Sequence, residues 1–134
     1  MKKVAVIYWT MTGNTEAMAN AIAEAAGTEA TDWATFSAEE VSDYDALAFG
    51  CPAMGDEELD ADFAELWDAC APKLGDRPVA LFGSYDWGTG AWMETWEASA
   101  SADGVNVIGT LIANLSPDDD ALAACRDLGK RLAG

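Results

Sequence analysis

Histidine is absent from the 134-residue chain and bases are scarce: seven lysines and arginines stand against 24 acids, a formal net charge of −17. Without histidine, Ser–His and Cys–His nucleophile pairs are excluded, along with the commonest metal ligand. So acidic a surface repels nucleic acid and anionic membranes, and it favours encounter with basic protein partners. Cysteine is sparse too. Cys51, Cys70 and Cys125 are odd in number, widely spaced and set in apolar patterns, which fits reduced, buried thiols and neither a disulfide framework nor a zinc site. No apolar run approaches membrane-spanning length, and the opening MKKVAVIYW is too short before its first polar residues for a secretory signal. A cytoplasmic protein is therefore expected, with residues 1–134 forming one domain.

What is present is an alternation of strand and helix patterns. Half of the residues are hydrophobic, enough for a folded core. Val4 to Trp9 is a continuous apolar run of the kind that forms a parallel strand covered on both faces. Ala17, Met18, Ala21, Ile22 and Ala25 follow at helical spacing, and Gly27 ends that helix. Residues 29–35 read as a weak edge strand, Ala46 to Cys51 as a buried one, and Val79 to Phe82 as another. Between the last two, Phe63, Leu66, Trp67 and Cys70 mark a helix that stops near Pro72. Trp92, Met93, Trp96 and Ala100 mark a further helix, with core packing expected for at least one of its tryptophans. Val105 to Ala113, interrupted by Gly109, is the last strand. The final helix is expected to be capped by Ser116, with Pro117 in its first position, Asp118–Asp120 at its positive end, and Lys130 and Arg131 in its last turns.

Five such units predict an α/β fold, a doubly wound parallel sheet with helices on both faces. Ligands of such sheets bind beyond the carboxyl ends of the strands, where strand order reverses. That directs attention to the loops 10–15, 51–60 and 84–91.

The first of these, TMTGNT (Thr10, Met11, Thr12, Gly13, Asn14, Thr15), follows a strand and opens a helix. Three hydroxyls, one carboxamide and the orphan amides of a helix start form an anion site, and Gly13 lets the backbone turn closely around it. The same residues also read as an ordinary capped helix start. Neither the Gly-Lys-Ser/Thr of a nucleoside-triphosphatase loop nor a G-x-G-x-x-G spacing is present. A signalling receiver domain is excluded, because Trp9-Thr10 and Cys51 stand where it needs acids. A low-molecular-weight phosphatase is excluded by the lack of any Cys-x5-Arg. In AMGDEE, Gly55 and Asp56 suit the centre of a tight turn; taken alone, Gly55 is a plain loop glycine and Met54 a core filler. Trp87, in YDWGTG, lies among loop residues with no obvious core, and a large exposed aromatic side chain needs a partner such as a planar heterocycle.

TGNT after an apolar strand, GCPAMGDEEL (50–59), LFGSYDWGTGAWM (81–93) and the SPD before the last helix occur in this order along the whole chain. Together they resemble the flavodoxins, particularly the short-chain type of anaerobic bacteria. The resemblance implies a sheet in the order 2-1-3-4-5 and non-covalently bound FMN, its phosphate held by hydroxyls and backbone amides without a basic side chain. It assigns the phosphate to Thr10, Met11, Thr12, Gly13, Asn14 and Thr15, and a second wall to Pro52, Ala53 and Met54, with Met54 against the inner ring face. The Gly55 carbonyl would accept from flavin N5–H in the neutral semiquinone, beside Asp56, and Glu57 would contact the N3 edge. Trp87 would cover the outer face, with Ser84, Tyr85, Asp86 and Gly88 bordering the ring through backbone contacts. Met11 and Asp86 stand where the family usually has glycine.

By the same resemblance the function is one-electron transfer at low potential, between neutral semiquinone and anionic hydroquinone, without substrate turnover. Partners would be basic-patched redox proteins: reductases, oxidoreductases and ferredoxin-dependent systems. A monomer is expected, with no nucleic acid and no membrane. The alternative on this fold is an FMN-dependent NAD(P)H or quinone oxidoreductase, which needs open space beside the ring where Trp87 would sit.

Overall fold

Each buried run becomes a strand whose alternate residues face two different cores. The structure, a computed structural model, describes residues 2–54, 57–86 and 88–134. Its elements run β1 (Val4–Tyr8), α1 (Asn14–Ala26), β2 (Ala30–Asp32), β3 (Ala46–Gly50), α2 (Ala61–Cys70), β4 (Pro78–Tyr85), α3 (Ala91–Ala102), β5 (Asn106–Asn114) and α4 (Asp119–Ala133). The strands are all parallel and lie in the order β2-β1-β3-β4-β5, the expected order.

Ala5, Ile7, Leu47, Phe49, Val79 and Leu81 face one core, with α2 and α3. Val4, Val6, Ala46, Ala48, Ala80 and Phe82 face the other, with α1 and α4. This period-2 division follows from the pleat. The first core is filled by aromatic side chains. Trp67 meets Phe49 edge-on at 5.0 Å and Trp96 at 5.5 Å, and Phe63 meets Trp96 at 5.9 Å. Trp92 and Trp96 are thus both core residues. Half of the second core is alanine, which lets α1 and α4 pack closely over the sheet.

Several boundaries differ from the sequence reading. Only Ala30–Asp32 forms the edge strand, because Trp33–Thr35 turns into a 3₁₀ segment capped by Asp32, whose carboxylate accepts from Ala34 N–H at 2.9 Å. β4 runs on through Gly83 and Ser84 to Tyr85, pairing with β5 to its end, so polar and small residues there did not stop the strand. Along β5, Val79 pairs with Val107 but Ala80 with Gly109, so the interruption is a one-residue bulge at Ile108. α4 is capped by Asp118, not Ser116: Asp118 is extended, and its Oδ1 accepts from Ala121 N–H at 2.8 Å, leaving Pro117 outside the helix. Among the described residues no helix is long and apolar enough to cross a membrane.

Candidate functional site

β1 and β3 are neighbours in space, and their following loops diverge to opposite faces, which opens a crevice at their carboxyl ends. Met11 and Thr12 line one side of that crevice, Pro52, Ala53 and Met54 a second, and Ser84, Tyr85 and Asp86 a third. Three segments separated in sequence, each picked out as a candidate, therefore converge on one pocket.

In the first segment Gly13 sits at φ +90°, in the left-handed region, as the residue before α1. No heavy atom lies within 4 Å of where its Cβ would be, so the glycine is required by backbone conformation and leaves the space above the helix start open. Thr10 Oγ1 accepts from Gly13 N–H at 3.1 Å and closes the loop on itself. Among the described residues no side chain caps α1. Met11 and Thr12 are exposed at the rim, Met11 with 67 % of its surface accessible. Thr15 is buried, and its hydroxyl lies 2.9 Å from that of Ser84. Below the loop, Tyr8 O–H donates to Glu16 at 3.0 Å. Burial, that hydrogen bond and the charges of Glu16 and Asp32 raise the Tyr8 pKa, so this phenol stays neutral.

The second segment continues β3 past its end, with Cys51 N–H donating to Phe82 at 3.1 Å and Ala53 N–H to Ser84 at 3.0 Å. Burial pushes the Cys51 thiol up to about 12, so it is an un-ionised core group and no nucleophile. Cys70 and Cys125 are likewise buried free thiols, each pushed up to about 11 by burial. Met54 and Glu57 are joined by a 2.7 Å hydrogen bond from Glu57 N–H to the Met54 carbonyl, and Met54 N–H donates to Glu58 at 2.9 Å. Glu57 has φ +55°, unusual for a side chain of its size. Gly55 and Asp56, expected between them, lie outside the described residues, as does Trp87.

Glu57 makes a connection that sequence spacing did not reveal. Its carboxylate accepts from Thr89 N–H at 3.0 Å and from Trp92 N–H at 3.2 Å, and so caps α3 from across the site. A Cβ at Gly88, which has φ +96°, would overlap that carboxylate. The second and third segments are thereby tied together through one side chain. Glu57→Ala is expected to lower stability by about 1–2 kcal/mol, as the loss of a helix cap does. Denaturant unfolding together with amide exchange at Thr89 and Trp92 checks this; unchanged exchange at both would refute the cap.

Asn114 and Leu115 were also missed. Asn114 Nδ2 donates to the Tyr85 carbonyl at 3.1 Å and to that of Asp86 at 3.3 Å, and Leu115 N–H donates to Tyr85 at 2.7 Å. They fix the edge at Tyr85 and Asp86. An asparagine closing an apolar strand was the one available signal.

A match to the Flavodoxin family model covers residues 6–129. The chain belongs to the flavodoxin family. It is 42 % identical to the flavodoxin of Megasphaera elsdenii, over 97 % of this chain and 98 % of that one. To the flavodoxin of Clostridium beijerinckii it is 36 % identical, over 96 % and 97 % of the two chains. The solution structure of two-electron reduced Megasphaera elsdenii flavodoxin superposes with a TM-score of 0.87 at 41 % identity, covering 97 % of this chain and 98 % of that one. Family membership makes the chain an FMN-containing electron-transfer protein of the short-chain type, not an enzyme. The residues present fit the group. Among the described residues the helix start has no side-chain cap, the space at Gly13 is open, hydroxyls and amides supply donors, and no lysine or arginine lines the crevice.

Proposed function

We propose that this chain carries single electrons at low potential, moving between the half-reduced and fully reduced forms of a non-covalently bound FMN. The observation that carries this is the convergence of three separate segments on one crevice beside a helix start without a side-chain cap among the described residues. FMN when bound supplies a ring that takes up electrons one at a time. The chain's part is to hold it and to bias it.

The loop Thr10–Thr15 holds the phosphate with neutral donors and the positive end of α1. Pro52, Ala53 and Met54 form the inner wall, with the Met54 thioether against the ring. Gly55 and Asp56 are assigned the turn beside N5, with the Gly55 carbonyl as acceptor, and Trp87 is assigned the outer face. Glu57, already held by two amides of the α3 start, is assigned the N3 edge. Ser84, Tyr85, Asp86 and Gly88 border the ring, with the Tyr85 and Asp86 carbonyls fixed by Asn114.

The same reading makes residues 1–134 one domain, monomeric and cytoplasmic. Its partners are redox proteins with basic patches, such as reductases, oxidoreductases and ferredoxin-dependent systems, attracted by the net charge of −17. Anaerobic reductive titration of the FMN-loaded protein tests it. A yellow protein that passes through a blue form before bleaching is expected; direct bleaching without the blue form would contradict one-electron carriage.

A further inference from the structure

β5 is an edge strand, paired on one side only, with β4. Edge strands present unpaired backbone donors and acceptors, and most are kept short or guarded by charge. The opposite edge, β2, has three residues. β5 has nine, and in a chain with 23 % charged residues the stretch 104–117 carries no charge. Its first half is closed, because the strand bulges at Ile108 and Arg131 Nη2 donates to the Ile108 carbonyl at 2.7 Å. Its second half is open. Leu115 N–H turns toward β4 and meets the Tyr85 carbonyl, so Asn114, Ile112 and Thr110, at alternate positions, turn their backbone N–H and C=O outward. All three residues are exposed, Ile112 by 38 %. Among the described residues no side chain or loop takes up these outward groups. A groove follows each face of the open half, and Thr110 and Leu111 border both. On the α3 side it is acidic, with Glu94 and Glu97 beside Met93, and Ile112 leaning over Gly90. On the α4 side Ala124 and Leu128 line it between Asp127 and Arg131.

We propose that the open edge from Thr110 to Asn114 docks an extended segment of a basic protein partner, which joins the sheet as an added strand. Side chains alternate between the faces of a strand. The segment that fits therefore has lysine or arginine at every second position, over Glu94 and Glu97, and small aliphatic residues between them, over Leu111, Ala124 and Leu128. Main-chain hydrogen bonds supply the attachment, and the two grooves select the segment. A second copy of this chain is disfavoured as the occupant, since each copy carries a net charge of −17. The edge also leads to the crevice: Asn114, its last residue, holds the Tyr85 and Asp86 carbonyls, and those two residues line the third wall. A partner added here stands beside that wall. That such a partner is a redox protein rests on the electron-carrier reading. Reductive titration tests that reading without involving β5, so the two fail in different experiments.

The test titrates the FMN-loaded, nitrogen-15-labelled protein at low ionic strength with the peptide acetyl-TKVKVT-amide, followed by amide NMR. Saturable binding with a Kd of about 1 mM is expected, with the largest shifts at the amides of Thr110, Ile112 and Asn114 and slower hydrogen exchange at the same three. The peptide acetyl-TKPKVT-amide keeps both charges but cannot complete the ladder, and should bind about tenfold more weakly. The peptide acetyl-TEVEVT-amide should not saturate. In the protein, Ile112→Lys places a like charge on the edge and should weaken binding of the first peptide about tenfold. The double variant Glu94→Gln, Glu97→Gln changes two exposed side chains and should weaken it about fivefold, which keeps the test decisive should the first variant fold poorly. No saturable shift at about 5 mM peptide would overturn the proposal. So would equal binding of the proline peptide, or shifts centred on residues 57–68 in place of β5, either of which would reduce the contact to charge attraction. A dimer formed through this edge without peptide, seen by sedimentation equilibrium, would also overturn it in favour of a second copy.

Discussion

Gly129→Ala is expected to lower the midpoint of thermal unfolding by about 10 °C. α4 crosses α1 with the two backbones in contact: a Cβ at Gly129 would overlap the Ile22 carbonyl and approach the Ala25 Cβ at 3.1 Å. The obstacle is a helical carbonyl, which has no rotamer to move to, so one helix must shift. Alanine is the better helix former by about 1 kcal/mol, which pulls the other way. Overpacking a tight core costs about 1–3 kcal/mol and occasionally more, and an overlap with backbone belongs at the upper end of that range. A net loss of about 2–3 kcal/mol is therefore expected. A midpoint that stays or rises would mean that propensity outweighs packing and that the helices are not in contact there. The consequence reaches the site, since α1 begins at Asn14, inside the anion loop.

Raising ionic strength from about 10 mM to 0.5 M is expected to raise the potential of the more negative couple by on the order of 50 mV and to stabilise the fold at the same time. The charges of this chain are almost unrelieved. No ion pair is present among the described residues, and two of the seven cations, Arg77 and Arg131, serve backbone oxygens instead. Arg77 donates to the carbonyls of Tyr44 at 2.8 Å, Leu74 at 3.2 Å and Lys73 at 3.3 Å, and Arg131 to that of Ile108 at 2.7 Å. Asp56, Glu57, Glu58, Asp60, Asp62, Glu65 and Asp68 put seven acids on one stretch without a base. Two of them are structural: Glu57 caps α3, and Asp60 caps α2 by accepting from Asp62 and Phe63 N–H. Glu58, Asp62, Glu65 and Asp68 are exposed.

One such charge about 10 Å from the ring, at an effective dielectric near 40, opposes an added electron by roughly 0.8 kcal/mol, or ~35 mV. Several together lower the potential by on the order of 100 mV, and salt returns part of that. The sign follows from charge: the second electron adds a negative charge near other negative charges, so screening makes the reduction easier. A first step that takes up a proton with its electron adds no net charge and should move less. Reaction with a basic partner should slow over the same range of salt. Potentials and rates indifferent to salt would contradict the electrostatic account.

The sheet was legible in the sequence because β1 and β3 are apolar throughout, as buried parallel strands must be. β4 was read too short because Gly83 and Ser84 break its apolar run, although the strand keeps pairing to Tyr85. The cap of α4 went to Ser116 on residue preference, whereas Asp118 has the extended backbone that places an oxygen over Ala121 N–H. The anion loop was legible because hydroxyls, Gly13 and a helix start are contiguous. Contacts that span the fold were not. Glu57 with the start of α3, Asn114 with Tyr85 and Asp86, and Thr15 with Ser84 each join segments that only the sheet order brings together. Local pattern records which residues are able to form hydrogen bonds, and topology decides which of them meet.

Phosphorus-31 NMR of the FMN-loaded protein, followed between about pH 5.5 and 8.5, tests most directly whether neutral donors alone hold the phosphate. A phosphate monoester has its second pKa near 6, so free FMN shifts through this range. A site made only of hydroxyls, amides and a helix dipole favours the dianion at contact distance, where it outweighs the screened acids farther off. A bound resonance that stays at the dianion position throughout is the expected result; one that titrates along with free FMN would contradict the account.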